Sequence, residues 1–178
     1  MRKLLKITVS TLLVMLLVFF SAQFVLKAVY PLKYEAAIVS ASEKYNLDKF
    51  FVMGVISAES RFSEGAVSRK SAKGLMQLKD ETAIWCAEKF GIEGSVNDGE
   101  TNIEIGCAYL RYLLDLFDKD TTNALAAYNA GQGNVKKWLA DTKYSQDGRV
   151  LDKIPFSETS EYIKRVERRA KIYEKIYG

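Results

Sequence analysis

An uncharged apolar run near the N-terminus limits the folds open to this chain more than any other feature. Residues 7–26 read ITVSTLLVMLLVFFSAQFVL and contain no Asp, Glu, Lys or Arg. A helix of about 20 apolar residues spans the hydrocarbon core of a bilayer. Arg2, Lys3 and Lys6 precede the run, and cationic flanks of this kind stay in the cytoplasm. The sequence therefore predicts a transmembrane helix, with everything after residue 30 outside the cytoplasm.

A cleaved signal peptide is the alternative interpretation of this run. Such a peptide has a shorter apolar core and a small-x-small cleavage site after it. Residues 20–28 contain no good site of that kind, and no cysteine for lipid attachment. We therefore expect an uncleaved signal anchor in residues 1–30. Pro31 disfavours helix at the residue before it and marks the start of a separate domain in residues 31–178.

Composition narrows the chemistry of that domain. The chain has no histidine, which excludes His-based acid-base catalysis, Ser-His-Asp triads and His-ligated metal sites. Cys86 and Cys107 are too far apart for a Cys-x-x-Cys zinc site, and we expect buried free thiols, with one disulfide as the alternative. No metal or organic cofactor is implied. The net charge of +4 suits an anionic partner without selecting nucleic acid, membrane or cell-wall polymer.

Apolar residues recur at helical spacing through most of residues 31–178, and no stretch alternates convincingly as a strand does. The predicted helices cover residues 33–45, 48–60, 80–90, 102–118, 123–130, 134–140 and 157–177. Gly91 is expected to end the third, and Thr121 or Thr122 to cap the fifth. The polar stretches 92–101 and 141–153 are predicted loops, the second with a small hairpin as alternative. Mixed charges along the last helix indicate a solvated face.

One acidic residue conflicts with its position in this pattern. Val52, Val55, Ile56 and Glu59 share one face of the helix predicted from Asp48, and that face is apolar until Glu59. Conflicts of this kind are expected mainly at functional or strained sites. Alternatively, Glu59 turns to solvent at the helix end, since Glu is rarely buried unless paired.

Five short segments occur in the same order as in a known family, and they decide between the two interpretations of Glu59. They read Ala-Glu-Ser-Arg-Phe at 58–62, Gly-Leu-Met-Gln at 74–77, Asn-Ile-Glu-Ile-Gly at 102–106, Ala-Tyr-Asn-Ala-Gly at 127–131 and Pro-Phe-Ser-Glu-Thr at 155–159. Tyr109-Leu110 and Tyr162 continue the third and fifth. Each segment alone has an ordinary structural explanation. Together they resemble the lytic transglycosylase family with the soluble-lytic-transglycosylase (SLT) type of lysozyme-like domain, over about residues 35–170.

The resemblance implies a fold, a reaction and a set of site residues. The fold is mainly α, a lysozyme-like helical domain preceded here by one N-terminal transmembrane helix. The reaction is non-hydrolytic cleavage of the β-1,4 bond between N-acetylmuramic acid and N-acetylglucosamine, which leaves a 1,6-anhydro end. Glu59 would act as acid and then base, and this requires a pKa raised by desolvation. The residues implied to contact the sugar or orient the acid are Ser68, Gln77, Tyr128, Asn129, Glu158 and Tyr162.

Partners and alternatives follow from the same resemblance. We expect peptidoglycan glycan strands as substrate, attachment to the cell membrane through the N-terminal helix, no nucleic acid and a monomeric protein. A hydrolytic muramidase on the same fold is the first alternative. A non-catalytic peptidoglycan-binding module is the second, and a helical domain without a site is the third. A hydrolase usually needs a second carboxylate, and besides Glu59 the segments 59–60, 74–77, 127–131 and 158–162 contain only Glu158 and Glu161.

Overall fold

The computed structural model describes the backbone of residues 2–178 and the side chains of residues 6, 7 and 9–178. The chain forms two compact units, with the boundary between Leu32 and Lys33. This boundary lies two residues beyond the one expected from Pro31.

The first unit consists mainly of helix α1, Arg2–Val29, which is 28 residues long. Its segment Val9–Val29 has a mean hydropathy of 2.3, and none of it is buried. At about 1.5 Å per residue, such a segment is long enough to cross a bilayer core. The predicted helix over residues 7–26 is therefore confirmed as a helix of sufficient length and apolar character.

The second unit is helical, as the mainly α prediction requires. Its helices are α2 Glu35–Lys44, α3 Lys49–Ser60, α4 Asp80–Phe90, α5 Gly99–Leu116, α6 Thr121–Ala130, α7 Gln132–Leu139 and α8 Ser157–Tyr177. Residues 2–178 contain no β-strand. Two isolated antiparallel bridges pair Lys73 with Val67 and with Leu78 inside the connection from α3 to α4.

Four helices start two or more residues away from the predicted position, and α2 begins at Glu35 instead of residue 33. Helix α5 begins at Gly99, because Asp98 Oδ2 accepts a hydrogen bond from the Thr101 amide at 2.9 Å, so the predicted loop 92–101 is wrong at its end. The cap of α6 is Asp120 and not a threonine, since its Oδ1 accepts from the Asn123 amide at 2.7 Å. Helix α7 begins at residue 132, two residues earlier than predicted. The predicted left-handed Gly91 is confirmed, with φ of 64°.

The core lies around α5 and along the contact of α3 with α8. Helix α5 buries its apolar face, including Ile103, Leu110 and Leu113. Helices α3 and α8 approach closely at Gly54, where an added Cβ would lie 2.8 Å from the Val166 carbonyl oxygen. Substituting Gly54 would therefore force apart the two helices that carry Glu59 and Tyr162.

The cysteines contribute to this core as free thiols. Cys86 on α4 and Cys107 on α5 are both buried and unbonded. Burial raises the pKa of Cys86 to about 12, and it also raises the pKa of Cys107. Both side chains are therefore neutral and unreactive at physiological pH.

Candidate active site

Glu59 lies at the end of α3, above a buried apolar face. Val52, Val55 and Ile56 on that face are all 0% exposed, whereas Glu59 is half-buried. Loss of water around the carboxyl raises the pKa of Glu59 from 4.5 to about 7. The Tyr162 hydroxyl and the Arg165 charge oppose this rise, while the charge of Glu158 adds to it. At neutral pH, protonated and ionised Glu59 are therefore both well populated.

The backbone turns sharply just after this residue. Arg61 and Phe62 both occupy the left-handed region, with φ of 53° and 62°. This conformation is costly for residues other than glycine and persists only where the surroundings enforce it. Phe62 is 2% exposed, and its ring lies 5.7 Å from that of Tyr173 on α8. Burial of Phe62 therefore holds the turn that ends α3 just after Glu59 and Ser60.

The turn at residues 74–77 is clamped onto α5 by one buried amide. Asn102 is 0% exposed. Its Oδ1 accepts from the Met76 amide at 2.8 Å, and its Nδ2 donates to the carbonyls of Lys73 at 3.2 Å and Val96 at 2.8 Å. Gly74 has φ of 78°, and a Cβ there would lie 2.2 Å from Asn102 Nδ2. Only glycine therefore fits this turn against the clamp.

Two of the residues expected to contact sugar also hold their own loop. Gln77 has φ of 49°, and its Nε2 donates to the carbonyls of Ala66 at 3.0 Å and Gly74 at 2.9 Å. Ser68 Oγ accepts from the amides of Lys70 at 3.2 Å and Ala72 at 3.0 Å. The two donors of the Gln77 amide are thus directed into the loop, and its Oε1 is the atom left for other contacts.

Tyr128 and Asn129 connect the end of α6 to two other parts of the site. The Tyr128 hydroxyl donates to the Met76 carbonyl at 2.8 Å. Burial and the neighbouring Glu59 charge raise the pKa of Tyr128 well above its ordinary value. Asn129 Oδ1 accepts from the Thr159 hydroxyl on α8 at 2.8 Å. The first bond joins α6 to the 74–77 turn, and the second joins it to α8.

The first turns of α8 supply the remaining groups near Glu59. Tyr162 is 1% exposed and its hydroxyl has no hydrogen bond of ordinary geometry, yet it interacts with the Glu59 carboxyl. The Arg165 guanidinium lies 5.6 Å from the Tyr162 ring centre. Glu158 is exposed, and its effect on Glu59 is the weakest of those acting there. Glu161 instead pairs with Lys164 at 3.2 Å on the exposed side of the helix.

The structure thus places Glu59, Tyr128 and Tyr162 next to one another, with Glu158 at the margin. Gln77 and Ser68 lie in the connection between α3 and α4, and Asn129 follows Tyr128 on α6. In the described residues 2–178, no group of three or more His, Cys, Asp or Glu residues could hold a metal ion. One desolvated carboxyl, with tyrosines and amides around it, can donate and then accept a proton.

Sequence reasoning gave no role to three residues of this site. Asn102 and Thr159 belong to the segments that resemble the family, but the sequence indicates no role for their side chains. The solvated face predicted along the last helix is wrong for Arg165 and Arg169, which are both half-buried. Arg169 donates to the Ser57 carbonyl on α3. Arg165 and Arg169 are one helical turn apart and share a face, but the sequence does not indicate that this face packs against α3.

Comparison with known proteins connects this geometry to a family. A family model described as Transglycosylase SLT domain matches residues 36–150. The soluble lytic murein transglycosylase of Escherichia coli (strain K12) is 34% identical over 143 residues, which are 77% of this chain and 22% of that protein. Membrane-bound lytic murein transglycosylase C of Photorhabdus laumondii is 30% identical over 169 residues, with 79% of this chain and 46% of that protein covered. The chain therefore spans less than half the length of either relative.

Solved structures show the same fold. An inactive mutant of lytic transglycosylase Slt from Pseudomonas aeruginosa matches with a TM-score of 0.74 and 31% identity, covering 85% of this chain and 25% of that chain. The 70 kDa soluble lytic transglycosylase of Escherichia coli matches with a TM-score of 0.75 and 30% identity, covering 86% of this chain and 26% of that one. The lysozyme-like helical fold expected from the sequence is confirmed.

Proposed function

The chain belongs to the transglycosylase SLT domain family, and we propose that it is a membrane-anchored lytic transglycosylase acting on peptidoglycan. The bond cleaved is the β-1,4 link between N-acetylmuramic acid and N-acetylglucosamine. The observation that carries this proposal is the half-buried Glu59 carboxyl, with its pKa raised to about 7. A group that must give up a proton and take one back works best when its pKa is close to the working pH.

In the proposed reaction, Glu59 moves one proton in each direction. The protonated carboxyl gives its proton to the glycosidic oxygen as the bond from that oxygen to C1 of N-acetylmuramic acid breaks. The resulting carboxylate then takes the proton from the C6 hydroxyl of the same sugar as O6 bonds to C1. The products are a free 4-hydroxyl on one fragment and a 1,6-anhydro ring on the other. No water is consumed, and Glu59 ends protonated as it began.

The groups around Glu59 support both halves of this cycle. Desolvation favours the protonated carboxyl that starts the reaction. The Tyr162 hydroxyl and the Arg165 charge favour the carboxylate that exists halfway through it. Because these effects oppose each other, neither state is strongly disfavoured. The proton can therefore leave and return with small changes in free energy.

The proposed sugar contacts come from residues whose positions are already fixed. The Thr159 hydroxyl holds Asn129 Oδ1, which leaves the Asn129 Nδ2 donors for a sugar acetamido oxygen. The Gln77 amide is fixed by two loop carbonyls, and its Oε1 is left as an acceptor. Ser68, Tyr128, Glu158 and Tyr162 complete the set we propose to line the site.

A hydrolase on this fold is less well supported. Hydrolysis with retention needs a second carboxylate about 5 Å from the acid, and hydrolysis with inversion needs one placed further away as a base. Glu158 is the remaining acidic residue that acts on Glu59, and it is exposed with only a weak effect. A binding module without catalysis would have no need for a carboxyl with a raised pKa.

We also propose that α1 is an uncleaved signal anchor that keeps residues 33–178 at the outer face of the cell membrane as a monomer. Val9–Val29 has the length and the hydropathy of a membrane span. Arg2, Lys3 and Lys6 precede it, as the positive-inside rule requires for a cytoplasmic N-terminus. Relatives of this chain include a membrane-bound lytic murein transglycosylase.

Product mass tests the proposed reaction. Purified peptidoglycan is digested with the full chain in detergent, and the released muropeptides are weighed by mass spectrometry. We expect anhydro products, each lighter by one water than the hydrolytic product. Water-containing products would show a muramidase instead. Glu59→Gln serves as the control, and release at the parental rate by that variant would contradict the assigned acid.

A further inference from the structure

A series of aromatic rings leads away from Tyr128 across the surface of α5 and α4. The Tyr128 ring centre lies 5.5 Å from that of Tyr109, which lies 6.4 Å from that of Trp85. These two steps place Trp85 within about 12 Å of Tyr128. Tyr112 completes the group, with its ring 4.7 Å from that of Trp85. We call Trp85, Tyr109 and Tyr112 the aromatic ledge, and the ring contact of Tyr109 joins it to Tyr128 of the candidate active site.

A single cation is held over this ledge. Lys89 Nζ lies 5.3 Å from the Trp85 ring centre and 5.5 Å from that of Tyr112, within the range of cation–π attraction. Trp85 is 37% exposed, and Lys89 is exposed as well. Among the side chains that the structure describes, Lys89 takes part in no salt bridge. The rings therefore hold the ammonium in place without using its N–H donors.

We propose that the Lys89 ammonium on the aromatic ledge binds a carboxylate of the peptide attached to the glycan strand. This inference rests on the proposed function, because a peptide-bearing strand at Glu59 is what brings such a carboxylate to the ledge. The site would therefore recognise the peptide as well as the sugar. It assigns a function to Trp85 and Lys89, which the reaction at Glu59 does not use.

The geometry favours a carboxylate over a bare sugar at this place. A sugar stacks its C–H face on an uncovered ring, but Lys89 already lies over Trp85 and Tyr112. The surface presented to a ligand is therefore an ammonium with free donors. An ammonium held without an acidic partner binds an anion through charge-assisted hydrogen bonds.

Tethering makes this weak contact effective. When a strand is already bound at the site, the carboxylate of its attached peptide has a high effective concentration near Lys89. A free peptide lacks this advantage and is present only at its concentration in solution. The contact should therefore depend on peptide and glycan being covalently joined. Enzymatic removal of the peptides therefore distinguishes the attached peptide from other anions of the wall.

Binding measured without turnover tests the proposal. The full chain carrying Glu59→Gln, in detergent micelles, is titrated calorimetrically with a short peptidoglycan strand bearing its peptides. The same strand after enzymatic removal of the peptides is the second ligand. Adding Lys89→Gln should weaken binding of the peptide-bearing strand about tenfold and leave the peptide-free strand unchanged. Lys89→Arg should retain most of the affinity, because a guanidinium also stacks on aromatic rings.

Two further variants separate this role from a general effect of charge or packing. Lys171→Gln removes an exposed lysine of α8 and should change neither affinity. Trp85→Leu should weaken binding of the peptide-bearing strand when Lys89 is present and much less after Lys89→Gln, since the ring acts by holding the ammonium. Independent effects of the two substitutions would contradict that coupling.

The outcomes are distinct for the ledge and for the proposed function. If Lys89→Gln weakens binding of both strands equally, or weakens binding of neither, the proposed role of the aromatic ledge is overturned. If neither strand binds the Glu59→Gln protein that retains Lys89, both proposals are overturned. If the peptide-dependent loss is found while the protein with intact Glu59 releases no anhydro products, the ledge stands and the proposed reaction fails.

Discussion

The two sides of the candidate site are built on opposite principles. On the side of the 74–77 turn, the Asn102 amide makes three hydrogen bonds, and the Gln77 amide makes two. On the side of Glu59, a carboxyl and the Tyr162 hydroxyl are removed from water without full hydrogen bonding. The first arrangement stabilises the fold, whereas the second costs stability and changes a pKa instead. Shape is thus maintained by one side of the site and chemistry by the other.

The largest effect that would test this contrast is the loss of activity in Glu59→Gln. Gln keeps the size and the polarity of the side chain but removes the transferable proton. A positioned acid or base contributes about 10²–10⁴-fold to a rate, and Glu59 serves as both, so we expect a loss of at least about 10³-fold. The rate of release of anhydro muropeptides measures it. Glu161→Gln, on the exposed side of α8, is the matched control and should retain the parental rate.

The same variant should be more stable than the parent at alkaline pH. The pKa of Glu59 is about 7 in the folded protein and 4.5 ordinarily, so the folded state holds a proton that the unfolded chain releases. Stability from this group is therefore complete below pH 4.5 and is lost as the pH rises through 7. The pKa difference corresponds to about 3 kcal/mol, and because the carboxyl is only half-buried we expect a smaller value, with Glu59→Gln gaining about 2 kcal/mol relative to the parent between pH 4 and pH 8. Denaturant unfolding in detergent at the two pH values measures it.

On the other side of the site, Asn102→Ala should destabilise the fold severely. It leaves the buried Met76 amide and the part-buried Val96 carbonyl without this partner, at about 1–3 kcal/mol for each unsatisfied group, while the Lys73 carbonyl keeps its hydrogen bond from the Leu78 amide. Since the loop can relax, we expect a total of about 3 kcal/mol, together with loss of activity through the displaced turn. Asn134→Ala is the comparison, because its amide makes one hydrogen bond, to the Ala130 carbonyl at 2.8 Å. A similar unfolding free energy for both variants would contradict the conclusion that Asn102 clamps the 74–77 turn onto α5.

The sequence predicts these two sides unequally. Glu59 is visible as a carboxylate on an apolar face, and its motif partners occur in family order. The hydrogen bonds of Gln77 are not visible, because they depend on a left-handed backbone with φ of 49° that its residue type does not indicate. Arg165 could not be placed, because mixed charges along α8 do not reveal which face packs against α3. The face of α8 that packs against α3 is set by the close contact of Gly54 with α8, which lies far away in the sequence.

Thr159 lies between the two sides, and its substitution should have an intermediate effect. Thr159→Val keeps the shape of the buried side chain but removes the hydrogen bond to Asn129 Oδ1. We expect about 1 kcal/mol of destabilisation and a rise in KM of about fivefold, with kcat less affected, because Asn129 is proposed to bind sugar. Thr159→Ser should restore KM. If Thr159→Val lowers kcat and leaves KM unchanged, then Thr159 acts on the reaction step and not on sugar binding.

The smallest effect on stability is expected from Tyr162→Phe, although the hydroxyl removed is fully buried. Because that hydroxyl has no hydrogen bond of ordinary geometry, its loss should change the unfolding free energy at pH 5 by less than about 0.5 kcal/mol.

The interaction of the Tyr162 hydroxyl with Glu59 lowers the pKa of the carboxyl, so Tyr162→Phe should have a higher Glu59 pKa than the parent. Activity requires the protonated acid, and the alkaline fall of kcat/KM should therefore move to higher pH. Tyr112→Phe, whose hydroxyl bonds to Gln132 at 3.3 Å on the ledge, should leave that limb in place. A Tyr162→Phe profile that coincides with the parental one would mean that the Tyr162 hydroxyl does not stabilise the Glu59 carboxylate, and that the Arg165 charge is the group of α8 that opposes desolvation.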